Sequence, residues 1–232
     1  MNNIKQKILN FLSKPYAVII VLLIAILLHL ADRNFGYFFG LGVVLFLVWQ
    51  HKWGWSIFGF GTKITLKTVL KGFLLSLPIF VILSIVEPFL QHYFGALDLS
   101  SIDDVRGDIG NYLFILFIVW TFAAFGEELL FRGYYMQGFA KLFGGSNKSW
   151  ILSAIFISLL FGISHAYQGP AGVIAVFIGS MYSSLIYYFS RNNLALAVFE
   201  HGFYDSIALT FIFLNKDRAF SDWVLSLFGL NL

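Results

Sequence analysis

Long apolar runs divide the chain into seven predicted membrane helices. No Asp, Glu, Lys or Arg occurs in residues 16–31, nor anywhere between Lys148 and Arg191. The second stretch is longer than the roughly 20 residues of one span, so it must fold back. The turn signal Gln168-Gly169-Pro170 marks the break. The predicted spans are residues 16–31, 35–49, 72–86, 109–126, 149–165, 170–190 and 194–214.

The sequence also gives predictions for the N-terminus, for the segment after the second span, for the C-terminal tail and for the end of the third helix. Lysines precede the first run as in a signal peptide, but no small-x-small cleavage site follows it, which predicts a retained first helix. Residues 51–71 combine aromatic rings with four lysines, as expected for the headgroup layer. The apolar tail, residues 220–232, either lies on the membrane or packs against the bundle. The pair Glu87-Pro88 predicts the end of the third helix.

Composition agrees with this pattern. The 232 residues are 59% hydrophobic and 12% charged, with a mean hydropathy of +0.82, whereas soluble domains carry about 25% charged residues. The predicted fold class is therefore an all-α polytopic membrane helix bundle with about seven transmembrane helices, or eight if the tail crosses. We expect one membrane domain over residues 1–232, made of N-terminal helices (1–108), a core (109–215) and the tail (216–232).

Two further composition values exclude whole classes of site. The chain has no cysteine, which excludes disulfides, thiolate nucleophiles and cysteine-ligated zinc. The net charge of +3 is small and argues against nucleic-acid partners. The partners expected instead are the lipid bilayer and a substrate that is embedded in it or anchored to it.

The distribution of Lys and Arg predicts the orientation in the cell membrane. With seven spans, segments on the N-terminal side hold 11 of these residues and those on the other side hold 4. Basic residues are enriched in cytoplasmic segments, which predicts a cytoplasmic N-terminus and an external acid-rich segment 87–108. The 11 are Lys5, Lys7, Lys14, Lys52, Lys63, Lys67, Lys71, Arg132, Lys141, Lys148 and Arg191, and the 4 are Arg33, Arg106, Lys216 and Arg218.

Charged residues late in the fourth helix are the first candidates for chemistry. A charge inside a span costs roughly 2.5–3.5 kcal/mol, so such residues usually have a role. Glu128 and Arg132 are four residues apart and share one helix face, so they are predicted to pair. Glu127 points about 100° away, which leaves it free for chemistry. The structural alternative is a charged cluster where the span meets headgroups.

His165 is predicted to lie level with Glu127. Residues 143–147 form a turn between two antiparallel helices, and Glu127 and His165 stand 19 residues on either side of Ser146. A carboxylate beside an imidazole is a general-base arrangement for activating water. A histidine at a helix end can also be a hydrogen-bonded structural residue.

His201 and Asp205 supply a third polar site in the last span. Their spacing of four puts imidazole and carboxylate on one face. Such a pair could stabilise an oxyanion, bind a metal, relay protons, or lock the helix into the bundle. Glu200 lies off that face, and we expect it to pair with a neighbour such as Arg191.

These three motifs together resemble a known family. Glu-Glu-x-x-x-Arg at residues 127–132, Phe-x-x-x-His at 161–165 and His-x-x-x-Asn/Asp at 201–205 occur in the order found in the CAAX protease and bacteriocin-processing (CPBP, formerly Abi) family of intramembrane endopeptidases. The resemblance covers roughly residues 112–214. It implies a glutamate-dependent endopeptidase that cleaves a membrane-embedded or lipidated peptide, either CAAX-type or a bacteriocin or peptide precursor.

The resemblance also implies a role for each motif residue. Glu127 and His165 would activate the attacking water, and His201 and Asp205 would stabilise the oxyanion. An ionised Asp205 cannot donate a hydrogen bond, so it would have to be protonated or orient His201 instead. The residues implied to be structural neighbours of the catalytic glutamate are Glu128 and Arg132.

Other functions stay open at the level of sequence. No His-Glu-x-x-His zinc motif is present, and Ser180 has no evident base. We therefore expect no cofactor, but zinc held by Glu127, His165 and His201 is a chemically sound alternative. The remaining alternatives are a membrane scaffold or bacteriocin self-immunity protein without turnover, and a transporter that uses the same residues as a proton relay.

Overall fold

The helices of the computed structural model account for most of the chain. The structure describes residues 2–12, 14–61, 63–227 and 229. It is 83% helical, and no strand occurs among these residues, which confirms the all-α membrane bundle. The helices are α1 (Asn2–Leu12), α2 (Ala17–Ala31), α3 (Arg33–Gln50), α4 (Leu66–Phe94), α5 (Ile109–Leu142), α6 (Asn147–Ser164), α7 (Gly169–Phe189), α8 (Leu194–Phe213) and α9 (Ala219–Leu227).

Five helices are long and apolar enough to cross a bilayer, and they match the predicted third to seventh spans. They are α4, α5, α6, α7 and α8. The two predicted turns also occur: Gly144 and Gly145 adopt positive φ after α5, and Gly169 does so at the start of α7. The chain is thus a multi-pass membrane protein.

The first two predicted spans are shorter helices. α2 has 15 residues, which at 1.5 Å per residue give about 22 Å against a hydrocarbon core of about 30 Å. Asp32 joins α2 to α3: its backbone N–H bonds to Leu28, and its carboxylate accepts the N–H of Asn34 at 2.8 Å. The count of seven spans is therefore confirmed for five, and the crossing of α2 and α3 stays a prediction.

The prediction that Glu87-Pro88 ends the third helix is wrong. α4 continues through Pro78 and Pro88 to Phe94, where Gly95 with φ of 96° ends it. Each proline removes one backbone hydrogen bond, and membrane helices tolerate this loss where neighbouring helices pack around them. Glu87 consequently lies inside α4 rather than at its end.

The predicted fourth helix also runs further than its apolar part. α5 continues beyond Gly126 to Leu142, and its stretch Val119–Met136 is π-helical, with hydrogen bonds from residue i to i+5. Glu127, Glu128 and Arg132 therefore lie within a continuous helix and not at its end. Such π-helical turns are frequent at functional sites.

Close contact between α5 and α8 positions the polar residues of both helices. A Cβ atom at Gly202 would lie 2.6 Å from the ring of Trp120, a distance that no side chain other than hydrogen permits. Trp120 also packs against Phe203 with ring centroids 5.2 Å apart. The absence of a side chain at Gly202 thus lets α5 approach α8 closely at the position next to His201.

The C-terminal tail packs against the bundle. α9 has nine residues, about 13 Å at helical rise, which is too short for an eighth span. Phe220 of α9 contacts Phe80 of α4, with ring centroids 6.1 Å apart. The end of the predicted tail, residues 228 and 230–232, lies outside the described residues.

The predicted interfacial segment folds back onto the core as well. Residues Trp55–Phe58 form a 3₁₀ turn, and Phe58 is buried against Tyr134, with ring centroids 6.2 Å apart. Trp55 contacts Phe125 at 5.7 Å. Residue 62 of this segment lies outside the described part of the chain.

Candidate active site

One large cavity collects most of the predicted site residues. It has a volume of about 1060 Å³ and lies between α4, α5, α7 and α8. Motif residues from three different helices or helix ends line it together. They are Glu127, Arg132, Phe161, His165, His201 and Asp205.

Glu128 lies behind the cavity wall and joins two motifs. It is completely buried, and its Oε1 atom accepts a hydrogen bond from Arg132 Nη1 at 2.8 Å. The predicted pairing of these two residues is therefore confirmed. The same oxygen lies 2.9 Å from His201 Nδ1, a contact that the sequence did not indicate.

Arg132 ties α5 to the two helices that follow. It is 1% exposed, and its Nη2 atom donates to both the carbonyl oxygen and Oγ of Ser180, each at 2.8 Å. Its guanidinium also lies over the ring of Phe161, 5.2 Å from the centroid. From the sequence, Ser180 was considered only as a possible nucleophile without a base. In the structure it accepts hydrogen bonds from Arg132 and orients it.

His201 is held between two carboxylates. Its Nδ1 atom faces Glu128, and its Nε2 atom lies 3.2 Å from Asp205 Oδ2, one helical turn further along α8. The predicted shared face of His201 and Asp205 is confirmed by this contact. The pair is partly open to the cavity, with side-chain exposures of 15% and 25%.

His165 is fixed by the end of α6. Its Nδ1 atom lies 2.9 Å from the carbonyl oxygen of Phe161 and 3.2 Å from Ser164 Oγ. Because a carbonyl oxygen can only accept, Nδ1 carries the proton in this bond. In the neutral ring the other nitrogen, Nε2, is then the one that can accept a proton.

Glu127 has a different environment from its neighbour Glu128. It lines the cavity and forms no hydrogen bond or ion pair with any residue that the structure describes. No hydrogen bond or ion pair joins Glu127 to His165 among the described residues, although both line the same cavity. Their predicted cooperation at one depth therefore stays a prediction.

The expected pairing of Glu200 with Arg191 is wrong. Glu200 is buried, and its Oε2 atom accepts a hydrogen bond from Ser183 at 2.7 Å. Arg191 is exposed in the turn that follows α7, where it adopts a φ of 60°. The rotation of α8 against α7, which hydropathy does not report, decides this partner.

Two further features bear on the choice between mechanisms. Among the described residues, no group of three or more His, Asp or Glu side chains is placed to hold a metal ion. Both ring nitrogens of His201 are occupied by Glu128 and Asp205, so the set Glu127, His165 and His201 would have to rearrange to bind zinc.

Glu87 is an additional carboxylate that lines the cavity. The sequence indicated it only as the end of a helix.

Comparison with known proteins finds similarity in the segment that carries the three motifs. Residues 109–207 match the family model of the type II CAAX prenyl endopeptidases that are Rce1-like. The predicted family resemblance is confirmed over this segment. All seven residues of the three motifs fall within it, and the family is one of peptidases.

A sequence relative covers a similar part of the chain. An uncharacterized protein of Mycoplasma capricolum subsp. capricolum is 35% identical over 108 residues, which is 45% of this chain. The match spans 30% of the length of that relative. No solved structure matches the chain.

Proposed function

We propose that the chain is an intramembrane endopeptidase of the CAAX-protease type that hydrolyses a peptide bond with water activated by Glu127. The observation that carries this proposal is the contrast between two adjacent carboxylates. Glu128 is buried and bonded to Arg132 and His201, whereas Glu127 lines the cavity without a hydrogen bond to any described residue. A carboxylate without a partner can accept a proton from water.

In this proposal each proton has an acceptor on the chain. Water attacks the scissile carbonyl carbon and gives a proton to Glu127. The C–N bond then breaks, and the proton moves to the leaving amine. His165 assists because its Nδ1–H bond to Phe161 leaves Nε2 free to accept a hydrogen bond from the same water.

His201 stabilises the oxyanion in the proposed mechanism, and Asp205 orients it. An ionised carboxylate only accepts hydrogen bonds, so an Asp205 that faces Nε2 of His201 acts on the ring and not on the substrate oxygen. Glu128 faces the other nitrogen. In the proposed mechanism the ring is protonated between these two carboxylates, and its positive charge stabilises the oxyanion. Removal of a single oxyanion partner typically costs about 10²–10³ in rate.

We further propose that the protein lies in the plasma membrane with a cytoplasmic N-terminus and that it needs no tightly bound metal. The substrate is a membrane-embedded or lipidated peptide, of the CAAX type or a bacteriocin or peptide precursor. The occupied nitrogens of His201 support the metal-free reading.

The test uses purified protein in detergent and a library of internally quenched peptides with and without a C-terminal prenyl group. Glu127→Gln should lower cleavage by about 10²–10⁴ and leave the melting temperature nearly unchanged. Leu129→Met, a volume-conserving buried change on the same helix that leaves every motif side chain intact, is the matched control and should keep activity. Near-normal turnover by Glu127→Gln would overturn the assignment, and the absence of cleavage by the unmodified protein would favour a scaffold or self-immunity role.

A further inference from the structure

The cavity that contains the proposed active site extends towards one face of the bundle. Besides side chains of α4, α5, α7 and α8, its wall includes three segments that follow helices at one end of the bundle. They are the segment after α4 (residues 96–106), the turn after α6 (Tyr167 and Gln168) and the segment at the end of α8 (residues 217–222). Among the described residues of the opposite connections, 51–65, 143–146 and 190–193, none lines it.

Direct contacts show that these three connections share a face. The N–H of Asp98 donates to the carbonyl of Gln168 at 3.1 Å, which joins the first connection to the second. Arg106 donates to both carboxylate oxygens of Asp217, at 2.6 and 3.1 Å, which joins the first to the third.

The opposite face is held together in the same way. The N–H of Leu194, at the start of α8, donates to the carbonyl of Gly59 at 3.1 Å. The hydroxyl of Tyr187, near the end of α7, donates to the carbonyl of Phe58 at 3.4 Å. The two faces are therefore defined by contacts, independently of whether α2 and α3 cross the membrane.

Charge separates the two faces clearly. From residue 51 onward, the face without the cavity carries seven basic residues outside the buried motif and no acidic residue: Lys52, Lys63, Lys67, Lys71, Lys141, Lys148 and Arg191. The cavity face carries three basic residues, Arg106, Lys216 and Arg218, and six aspartates, Asp98, Asp103, Asp104, Asp108, Asp217 and Asp222. Basic residues near span ends mark the cytoplasmic side, so the cavity face is the external one.

We infer that the active-site cavity is loaded from the external face of the membrane, so that the substrate is a segment of an exported polypeptide and not the C-terminus of a cytoplasmic prenylated protein. This inference rests on the proposed function and chooses between its two substrate classes. The aspartates at the cavity face give it a negative potential, which favours encounter with cationic segments.

Cysteine labelling tests the side of access without relying on activity. The chain has no cysteine, so Ser100→Cys at the exposed cavity rim and Lys67→Cys at the exposed start of α4 each give one thiol. A membrane-impermeant maleimide should label Ser100→Cys in right-side-out vesicles and Lys67→Cys in inside-out vesicles, with full labelling of both in detergent. Any other pattern overturns the inference.

Hydrolysis in the same vesicles tests the substrate class. Hydrophilic internally quenched peptides that cannot cross the bilayer should be cleaved at least tenfold faster by right-side-out than by inside-out vesicles. Prior maleimide modification of Ser100→Cys should lower cleavage at least tenfold, while modification of Lys67→Cys should leave it unchanged. Faster cleavage by inside-out vesicles would overturn the inference. If the protein cleaves nothing even in detergent, the proposed function fails, and the labelling still decides which side the cavity faces.

Discussion

Replacing each of the two adjacent glutamates with glutamine should separate stability from catalysis. Glu128→Gln changes a residue that is completely buried and bonded to Arg132 and His201 through one oxygen. Glu127→Gln changes a cavity residue with no hydrogen bond to a described side chain. The two substitutions are chemically identical and one position apart, so each is the control for the other.

The expected loss of stability for Glu128→Gln follows from its contacts. The amide oxygen can still accept from Arg132 and His201, but it no longer carries a negative charge, so each bond weakens by about 1 kcal/mol. The new NH₂ group replaces Oε2, which is buried without a hydrogen-bond partner in the described chain, and an unsatisfied buried donor costs about 1–3 kcal/mol. The sum agrees with the roughly 3–5 kcal/mol seen when one partner of a buried ion pair is removed.

Glu127→Gln should behave in the opposite way. With no hydrogen bond to lose, the free energy of unfolding should change by less than about 0.5 kcal/mol. Loss of the proposed general base should lower turnover by about 10²–10⁴. Glu128→Gln should retain measurable turnover at temperatures where it is folded, because Glu127 is intact.

The assay combines thermal unfolding in detergent with cleavage of a quenched peptide. For a chain of this length, about 3 kcal/mol corresponds to a melting temperature lower by roughly 6–12 °C. A shift of that size is expected for Glu128→Gln and none for Glu127→Gln. Equal shifts for the two variants, or complete inactivity of Glu128→Gln well below its melting temperature, would refute the division of roles.

Three further predictions concern packing, acid stability and metal. Gly202→Ala should destabilise the protein by about 1–3 kcal/mol, measured as a lower melting temperature, because the added methyl group overlaps the ring of Trp120. Hydrogen bonds from Arg106 lower the pKa of the Asp217 carboxyl group in the folded protein. This pair therefore stabilises the fold fully above the ordinary aspartate pKa of about 3.9, and the stabilisation is lost as pH falls through the lower pKa of the folded state. Asp217→Asn should therefore lower the melting temperature at neutral pH by roughly 2–4 °C, which corresponds to a stability loss of about 1 kcal/mol. It should also remove the contribution of Asp217 to the fall of the melting temperature in acid. Chelator treatment should leave cleavage unchanged, whereas one zinc per chain, with activity lost on chelation and restored by zinc, would support zinc ligation by the motif residues.

The fold was predictable from sequence where hydropathy alone determines it. Apolar runs of sufficient length must form helices in a bilayer, since every backbone group needs an internal partner there. The turn around Gly144 and Gly145 and the break at Gly169 were predictable because glycine tolerates the positive φ that each requires. The pairing of Glu128 with Arg132 followed from helical spacing within one element.

Features that depend on how helices rotate against one another were not predictable. The bond from Glu128 to His201 requires α5 and α8 to approach at Gly202, and a single sequence gives no measure of that approach. The partner of Glu200 depends on the same kind of rotation. The π-helical stretch of α5 was also missed, because hydropathy does not distinguish hydrogen bonding to residue i+4 from bonding to i+5.

The contacts of Glu128 explain why motif residues that are distant in sequence act on one another. Arg132 is fixed by two acceptors on Ser180 and by the ring of Phe161, so it is a rigid donor to Glu128. Glu128 then holds Nδ1 of His201, which fixes the ring and directs Nε2 towards Asp205. A change at Arg132 should therefore alter the position of His201 through Glu128, although Glu128 itself does not line the cavity. Glu127 lies outside this chain of hydrogen bonds, and that separation leaves its carboxylate free to take a proton while the rest of the site stays in place.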